Sequence, residues 1–296
     1  MNYSPLRYPG GKSKLAALIH LIMQNTENDC RTYVEPFAGG AGVALSLLLE
    51  GKVDKIIIND YDKAIYSFWR ALKDDTCKLL KLIEETPVTI DEWRQQKSIY
   101  TDFNQKYSVE LGFATFFLNR TNRSGVLNGG PIGGFSQTGS YSIDARFNKP
   151  ELIQRIQKIA ERKSDIYVYN KEVRPFISQV ISNVQGPAFV YFDPPYYKKG
   201  KELYKNFFKP DDHKAIAESI IQNVHCDWIV TYDDVPQIEA LYQDYPQGKL
   251  TLRYSVASSS PSGSEIIIFK DSKYLPSISQ LTEHKITVHV SYKAIS

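Results

Sequence analysis

The sequence predicts an α/β protein, a mostly parallel sheet covered on both faces and interrupted by a helical insert. Three observations carry this. Short apolar, β-branched runs recur at both ends of the chain, separated by helical segments. From Ala64 to Asn119 apolar residues fall at helical spacing almost throughout, as in YSFWRALKDDTCKLLKLI and ELGFATFFLN. A polar stretch with six glycines then follows, RTNRSGVLNGGPIGGFSQTGSY, residues 120–141. It is too long for a hairpin turn, and loops of that length inside compact domains tend to be functional.

The elements follow in order. A helix is predicted over 13–23, a short strand at Tyr33 and Val34, a glycine-rich turn, a helix over 43–49, and a strand over 55–58 that ends in Asn59-Asp60. Beyond the middle, strands are predicted at 166–169, 188–192, 228–231, 250–255 and 265–269, with a polar loop SSSPSGS at 258–264. The expected organisation is a catalytic α/β domain built from 1–62 and 165–296, into which a mainly helical domain, 63–164, is inserted.

Composition narrows the class. The chain has 296 residues, 42% hydrophobic and 23% charged, an ordinary globular balance. No apolar run approaches the ~20 residues that span a bilayer, and MNYSPLRYPGGKSK lacks the apolar core of a signal peptide. Cys30, Cys77 and Cys226 are far apart and form no CxxC pair, which argues against a disulfide framework or a zinc site. The expectation is a cytoplasmic protein without a metal or a membrane partner. Net charge is only +3, but residues 64–164 hold 15 basic and 11 acidic side chains against 21 and 22 elsewhere. The middle is modestly basic, which by itself suits a nucleic-acid partner or an unevenly charged solvated surface.

VEPFAGGAGVAL, residues 34–45, reads as strand, turn and helix, and the next strand ends at Asp60. Glycines such as Gly39 allow a tight turn and close approach of backbone to a ligand. An acidic residue about 20 positions on can accept ribose hydroxyls, as in doubly wound sheets. The turn is not GxGxxG, so on its own it is equally a tight βα connection. Glu35 would repel the pyrophosphate of a dinucleotide near a helix start. S-adenosylmethionine carries a sulfonium and an ammonium and no phosphate, so it suits Glu35 better. GGKS at 10–13 lacks the upstream glycine and the preceding strand of a phosphate loop. Lys12 there serves either the carboxylate of a cofactor or a solvated helix start.

FVYFDPPYY, residues 189–197, ends a buried strand in a carboxylate, two prolines and two tyrosines. An exocyclic amine of a base is a weak nucleophile because its lone pair is delocalised. Two acceptors on its N–H groups draw it toward tetrahedral geometry. Asp193 offers one, and the Pro194 carbonyl, fixed because proline locks φ, offers another. The same acceptors stabilise the positive charge that builds on nitrogen during attack. Pro195 stiffens the next peptide, and Tyr196 can stack on a flat base, which would have to be flipped from a duplex to arrive there.

With these motifs in order, LRYPGGKSKL, VEPFAGGAGVAL, IIINDYD, FFLNRTNRSG and VYFDPPY, the chain resembles the Dam-type, α-group DNA N6-adenine methyltransferases. WIVTYDD and SEIIIF are similar to the family's closing strands. The resemblance covers most of the chain. It implies a Rossmann-like S-adenosylmethionine-dependent methyltransferase sheet with an inserted target-recognition domain, acting on double-stranded DNA in a prokaryotic or phage setting, with or without a companion restriction endonuclease. It implies cofactor contacts from Tyr8, Lys12, Asp60 and Asp193, with Glu35, Phe37 and Gly39 in the cofactor turn, and catalysis by Asp193, Pro194, Pro195 and Tyr196. Where the family turn reads FxGxG, this chain has Phe37-Ala38-Gly39-Gly40-Ala41-Gly42, a departure expected to do little harm. Many relatives place an Asp on the cofactor adenine; the nearest match is Glu172 in YNKEV, where a surface helix carboxylate is the other reading.

Asn119, Arg120, Asn122, Arg123 and Ser124 are hydrogen-bonding residues beside glycine, and Arg and Asn are the types that read guanine and adenine edges. DNA contact is expected from Arg120, Asn122, Arg123 and Ser124, with a structural ion pair the alternative for Arg120. Phe113, Phe116 and Phe117 are expected in the core. The lysine-rich YKKGKELYKNFFK, 197–209, grips phosphate or is a solvated loop. Two rival functions stay open: a DNA-binding protein without activity, and a methyltransferase acting on RNA or on protein amides.

Overall fold

A computed structural model describes residues 3–7, 12–103, 106–198, 208–252, 263–284, 286 and 289–292. Tyr8, much of the lysine-rich 197–209 segment and most of the 258–264 loop lie outside the described residues. The described strands are β1 (Thr32–Glu35), β2 (Lys55–Asn59), β3 (Ile166–Tyr169), β4 (Ala188–Phe192), β5 (Asp227–Asp233), β6 (Gln247–Leu252), β7 (Gly263–Phe269) and β8 (His289–Tyr292). The helices are α1 (Ala16–Asn25), α2 (Gly42–Leu49), α3 (Lys63–Asp74), α4 (Thr76–Glu85), α5 (Ile90–Thr101), α6 (Val109–Thr121), α7 (Lys149–Ala160), α8 (Val173–Gln179), α9 (Pro210–Asn223), α10 (Pro236–Leu241) and α11 (Ile278–Glu283). Parallel strands joined through helices make this a Rossmann-like α/β fold.

Two compact units emerge. One comprises Met1–Ser13, Ala38–Glu50 and Ile56–Lys171; the other comprises Lys14–Phe37, Gly51–Lys55 and Glu172–Ser296. The expected insert, 63–164, is mainly helical (α3 to α7). It falls in the first unit together with the flanking turn and β2, so contact density does not break at 62/63.

In the second unit the strand order is β1-β4-β5-β7-β6-β8. β1, β4 and β5 run parallel, whereas β7, β6 and β8 alternate in direction. The middles of the parallel strands are apolar, with Val34, Phe189, Val190, Phe192, Ile229 and Val230 fully buried, as strands covered on both faces require.

In the first unit β2 and β3 pair in parallel, and the residues between them supply a helical core. Phe68 of α3 stacks on Phe116 of α6 at 5.6 Å, and Phe147 lies 5.4 Å from both Phe116 and Phe117. Phe113, Phe116 and Phe117 are buried, as expected. α6 begins where Ser108 Oγ accepts Leu111 N–H at 3.0 Å, a cap worth about 1 kcal/mol. α3 and α6 touch backbone to backbone at Gly112, where a Cβ would meet Ser67 O at 2.6 Å. Gly112→Ala is the single change that would force these helices apart.

Candidate active site

Strand periodicity builds the second unit's site. Side chains two apart share a face, and partners in register lie side by side on that face. The register pairs Tyr33 with Phe189 and Val34 with Val190, so Glu35 comes beside Tyr191. It pairs Tyr191 with Ile229 and Phe192 with Val230, so Asp193 comes beside Thr231. It pairs Thr231 with Ile267 and Asp233 with Glu265. Tyr33, Glu35, Tyr191, Asp193, Thr231, Asp233 and Glu265 therefore share one face at the carboxyl ends of the parallel strands. The other face carries Val34, Val190, Phe192, Val230, Ile266 and Ile268.

The polar face is knit together. Tyr33 Oη donates to Glu35 Oε1 at 3.1 Å. Thr231 Oγ1 donates to Asp193 Oδ1 at 2.9 Å, and Tyr191 Oη lies 2.8 Å from Thr231 Oγ1. Tyr196 Oη donates to Glu265 Oε1, which fixes the half-buried ring. The Tyr197 and Lys198 N–H groups donate to the two oxygens of Asp233, each at 2.8 Å. Burial raises the Tyr33 and Tyr191 hydroxyls well above the usual tyrosine value. The charge of Glu35 adds to this at Tyr33 and that of Asp193 at Tyr191. Glu35, Asp193 and Glu265 all act on Tyr191, so three carboxylates converge there. A cation is the ligand such a cluster favours. Pro194 is buried directly after Asp193. Phe37 meets Phe208 edge-on at 6.1 Å.

The first unit holds the glycine turn. Ala38 N–H donates to Asn59 O at 2.9 Å, Gly39 N–H to Asp60 Oδ2 at 2.9 Å, and Asp62 N–H to Asp60 Oδ1 at 2.9 Å. Trp69 Nε1 donates to Gly39 O at 2.8 Å, and Ser4 Oγ to Gly40 O at 2.5 Å. Asp60 is thus the buckle of the turn. Burial, and secondarily the Asp62 charge, push its pKa up to about 7. Ala41, where the family has glycine, sits at φ 47°, ψ 36°. The departure costs left-handed strain of roughly 1 kcal/mol rather than room. Gly42 is where space is short, since a Cβ would come within 3.2 Å of Ser13 Cβ. Lys12 is buried at 7% exposure.

The candidate DNA residues divide. Arg123 and Ser124 are exposed, and Ser124 holds φ 55°. Asn122, by contrast, is fully buried: its Oδ1 accepts Trp93 Nε1 at 2.7 Å, and its Nδ2 donates to Val126 O at 2.8 Å and Leu127 O at 3.1 Å. It shapes the loop from inside. Arg120 is half-buried, donates to Arg146 O at 2.8 Å, and has its pKa lowered to about 10 by burial and then by Arg7 and Arg155. Glu151 raises that value in part, and Arg146 adds to the repulsion. Asn119 stitches the N-terminal segment to this loop. It accepts Arg7 N–H at 2.6 Å and donates to Arg7 O and Gly125 O, both at 2.9 Å. Gly125 has φ +76°, and a Cβ there would lie 2.1 Å from Arg7 O. Glu172 caps α8, accepting Arg174 N–H at 3.1 Å. The sequence reading missed Thr231, Asp233 and Glu265; alternation along TYDD and SEI, set against FVYFD, was the available signal.

In the second unit the carboxyl ends of the parallel strands gather Glu35 and Asp193 on one face, and in the first unit the glycine turn is closed by Asp60. The D12 class N6 adenine-specific DNA methyltransferase family model matches residues 8–256, and the chain belongs to that family. It is 24% identical over 233 residues to the type II methyltransferase M.MjaIII of Methanocaldococcus jannaschii, covering 72% of this chain and 77% of that one. It is 24% identical over 205 residues to the type II methyltransferase M1.LlaDCHI of Lactococcus lactis subsp. cremoris, covering 64% of each. Among solved structures, the rRNA methyltransferase aviRa of Streptomyces viridochromogenes aligns with TM-score 0.41 at 12% identity, covering 90% of this chain and 88% of that one.

Proposed function

We propose that the chain transfers a methyl group from S-adenosylmethionine to the exocyclic N6 of an adenine flipped out of double-stranded DNA. The observation that carries this reading is the shared face of Glu35 and Asp193 at the ends of β1 and β4, with Asp193 leading into Pro194-Pro195-Tyr196. The bound cofactor supplies an electrophilic methyl on a sulfonium; as the N–C bond forms, the C–S bond breaks and sulfur keeps the electron pair. Asp193 and the Pro194 carbonyl accept the amine N–H groups and hold the charge that develops on nitrogen until a proton leaves. Tyr196, tied back through its hydroxyl, offers its ring to the base. Glu35 faces the cationic end of the cofactor, and Asp60 the ribose hydroxyls. Phe37 and Gly39 line the turn, and Lys12 and Tyr8 serve the cofactor carboxylate.

Residues 63–164 recognise the target. Arg123 and Ser124 are its exposed readers, and the cluster of Arg7, Arg120, Arg146 and Arg155 suits phosphate, because an anion relieves the mutual repulsion of guanidiniums. The type II names of the two relatives make a companion restriction endonuclease the partner class to seek. Among the described residues no helix is long and apolar enough to cross a membrane. The test is transfer of tritiated methyl to unmodified genomic DNA followed by digestion to nucleosides. Label in N6-methyladenosine is expected. Label only in RNA or in protein overturns the substrate, and tight DNA binding without label anywhere makes the chain a silent binder.

A further inference from the structure

The polar face contains two buried hydroxyls that the mechanism above does not use. Thr231 is 0% exposed and Tyr191 is 3% exposed. Both are at hydrogen-bond distance in series with Asp193.

Proton counting fixes their direction. A threonine hydroxyl has one proton to give, and ionised Asp193 can only accept. Thr231 therefore donates to Asp193 Oδ1, and Tyr191 Oη, 2.8 Å from Thr231 Oγ1, must donate to Thr231. Tyr191 keeps its proton at any ordinary pH, because burial raises its pKa. The series has one orientation, Tyr191 to Thr231 to Asp193. It is held at both ends by strands, because Tyr191 and Asp193 lie two apart on β4 and Thr231 stands beside Asp193 on β5.

We propose that Thr231, kept pointing at Asp193 by Tyr191, is a positioning residue for the reaction. It fixes the rotation of the Asp193 carboxylate, so the acceptor presented to the target amine has one direction and does not have to be reoriented during attack. A donor on Oδ1 also favours the ionised carboxylate, which keeps Asp193 an acceptor at lower pH. This inference rests on the catalytic role proposed for Asp193.

Four variants test it: Thr231→Val, Thr231→Ser, Tyr191→Phe and Asp193→Ala, each assayed for kcat, for KM of both substrates and for melting temperature. Thr231→Val is expected to lower kcat by about 10- to 100-fold, with both KM values within about threefold of the parent. The acid limb of its kcat–pH profile moves to higher pH, because Asp193 loses the donor that favours its charge. Thr231→Ser restores kcat to within a few-fold, and Tyr191→Phe, which leaves the Thr231 donor in place but unsteered, causes a smaller drop. Burying Val against the Tyr191 hydroxyl strands that group, so the Tyr191→Phe/Thr231→Val double variant, which removes both partners, supplies a folded comparison if the single variant is unstable. An unchanged kcat and pH profile in either folded valine variant overturns the inference, as does a serine variant no better than the valine one. Retained turnover in Asp193→Ala would sink the mechanism itself, and is separable because that variant removes the carboxylate while the valine variants keep it.

Discussion

Asp60 and Asp193 both stand at the carboxyl end of a parallel strand, yet they are held in different ways. Asp60 spends its oxygens on backbone: Gly39 N–H on one and Asp62 N–H on the other. Asp193 is steered by a side chain, the Thr231 hydroxyl. The first carboxylate is part of the turn it supports, and its pKa, pushed up by burial to about 7, is the cost of that place. The second takes a side-chain hydroxyl on Oδ1. A strand-end aspartate is therefore a scaffold or a reagent according to what donates to it.

The largest effect should come from the reagent. Asp193→Ala is expected to lower methyl transfer by at least about 10²–10³-fold, with a stability loss of no more than the about 1–3 kcal/mol that an unsatisfied Thr231 hydroxyl costs; a larger loss would erase the contrast. Asp60→Ala should do the reverse in kind. Calorimetry should find the S-adenosylmethionine Kd raised about 10- to 100-fold, consistent with losing hydrogen bonds to a charged acceptor worth about 1.5–3 kcal/mol. The melting temperature should fall as well, because the Gly39 and Asp62 N–H groups lose their acceptor.

The pH dependence sharpens the contrast further. Ribose hydroxyls donate best to an ionised carboxylate, and Asp60 with its pKa near 7 is protonated below that value. Cofactor affinity should be constant above about pH 8 and weaken as pH falls through 7, by at most about tenfold per unit. A Kd flat between pH 6 and pH 8 would remove Asp60 from the binding site. Sorting side chains by their partners extends to the insert. Asn122→Ala leaves the buried Trp93 indole N–H without its acceptor and takes one donor from each of two carbonyls, which keep Gly129 N–H and Lys97 Nζ. It should cost about 1–3 kcal/mol in chemical denaturation with target preference intact, whereas Arg123→Ala should leave stability alone and change DNA binding. The smallest effect is expected at Ala41. Relief of its left-handed backbone by Ala41→Gly should raise stability by about 0.5–1 kcal/mol, with kcat unchanged.

Much of this was legible where the signal is local. The runs ending at Glu35, Asp60 and Asp193 became β1, β2 and β4 with those residues at their tips, and the helical spacing of FATFFLN became α6. What escaped depends on register between distant strands. That Thr231 meets Asp193 follows from β4 pairing with β5 in parallel, and that Glu265 meets both Tyr196 and Asp233 follows from β7 running antiparallel to β5; no window of sequence contains either pairing. The burial of Asn122 was out of reach for a related reason. Its type belongs on surfaces, and the Trp93 that buries it lies 29 positions away. Helices such as α3 pack on the strand β3 that follows them as well as on one another, a long-range arrangement that local spacing does not carry.

The bond pair between Asn119 and Arg7, closed over by Gly125, has a consequence for how this chain can be retargeted. The loop's path is pegged by residues that face inward, while Arg123, Ser124, Val126, Phe135 and Tyr141 face outward. A library that randomises the outward five and leaves Asn119, Asn122 and Gly125 alone would vary what the loop says without loosening the hinge on which it is mounted.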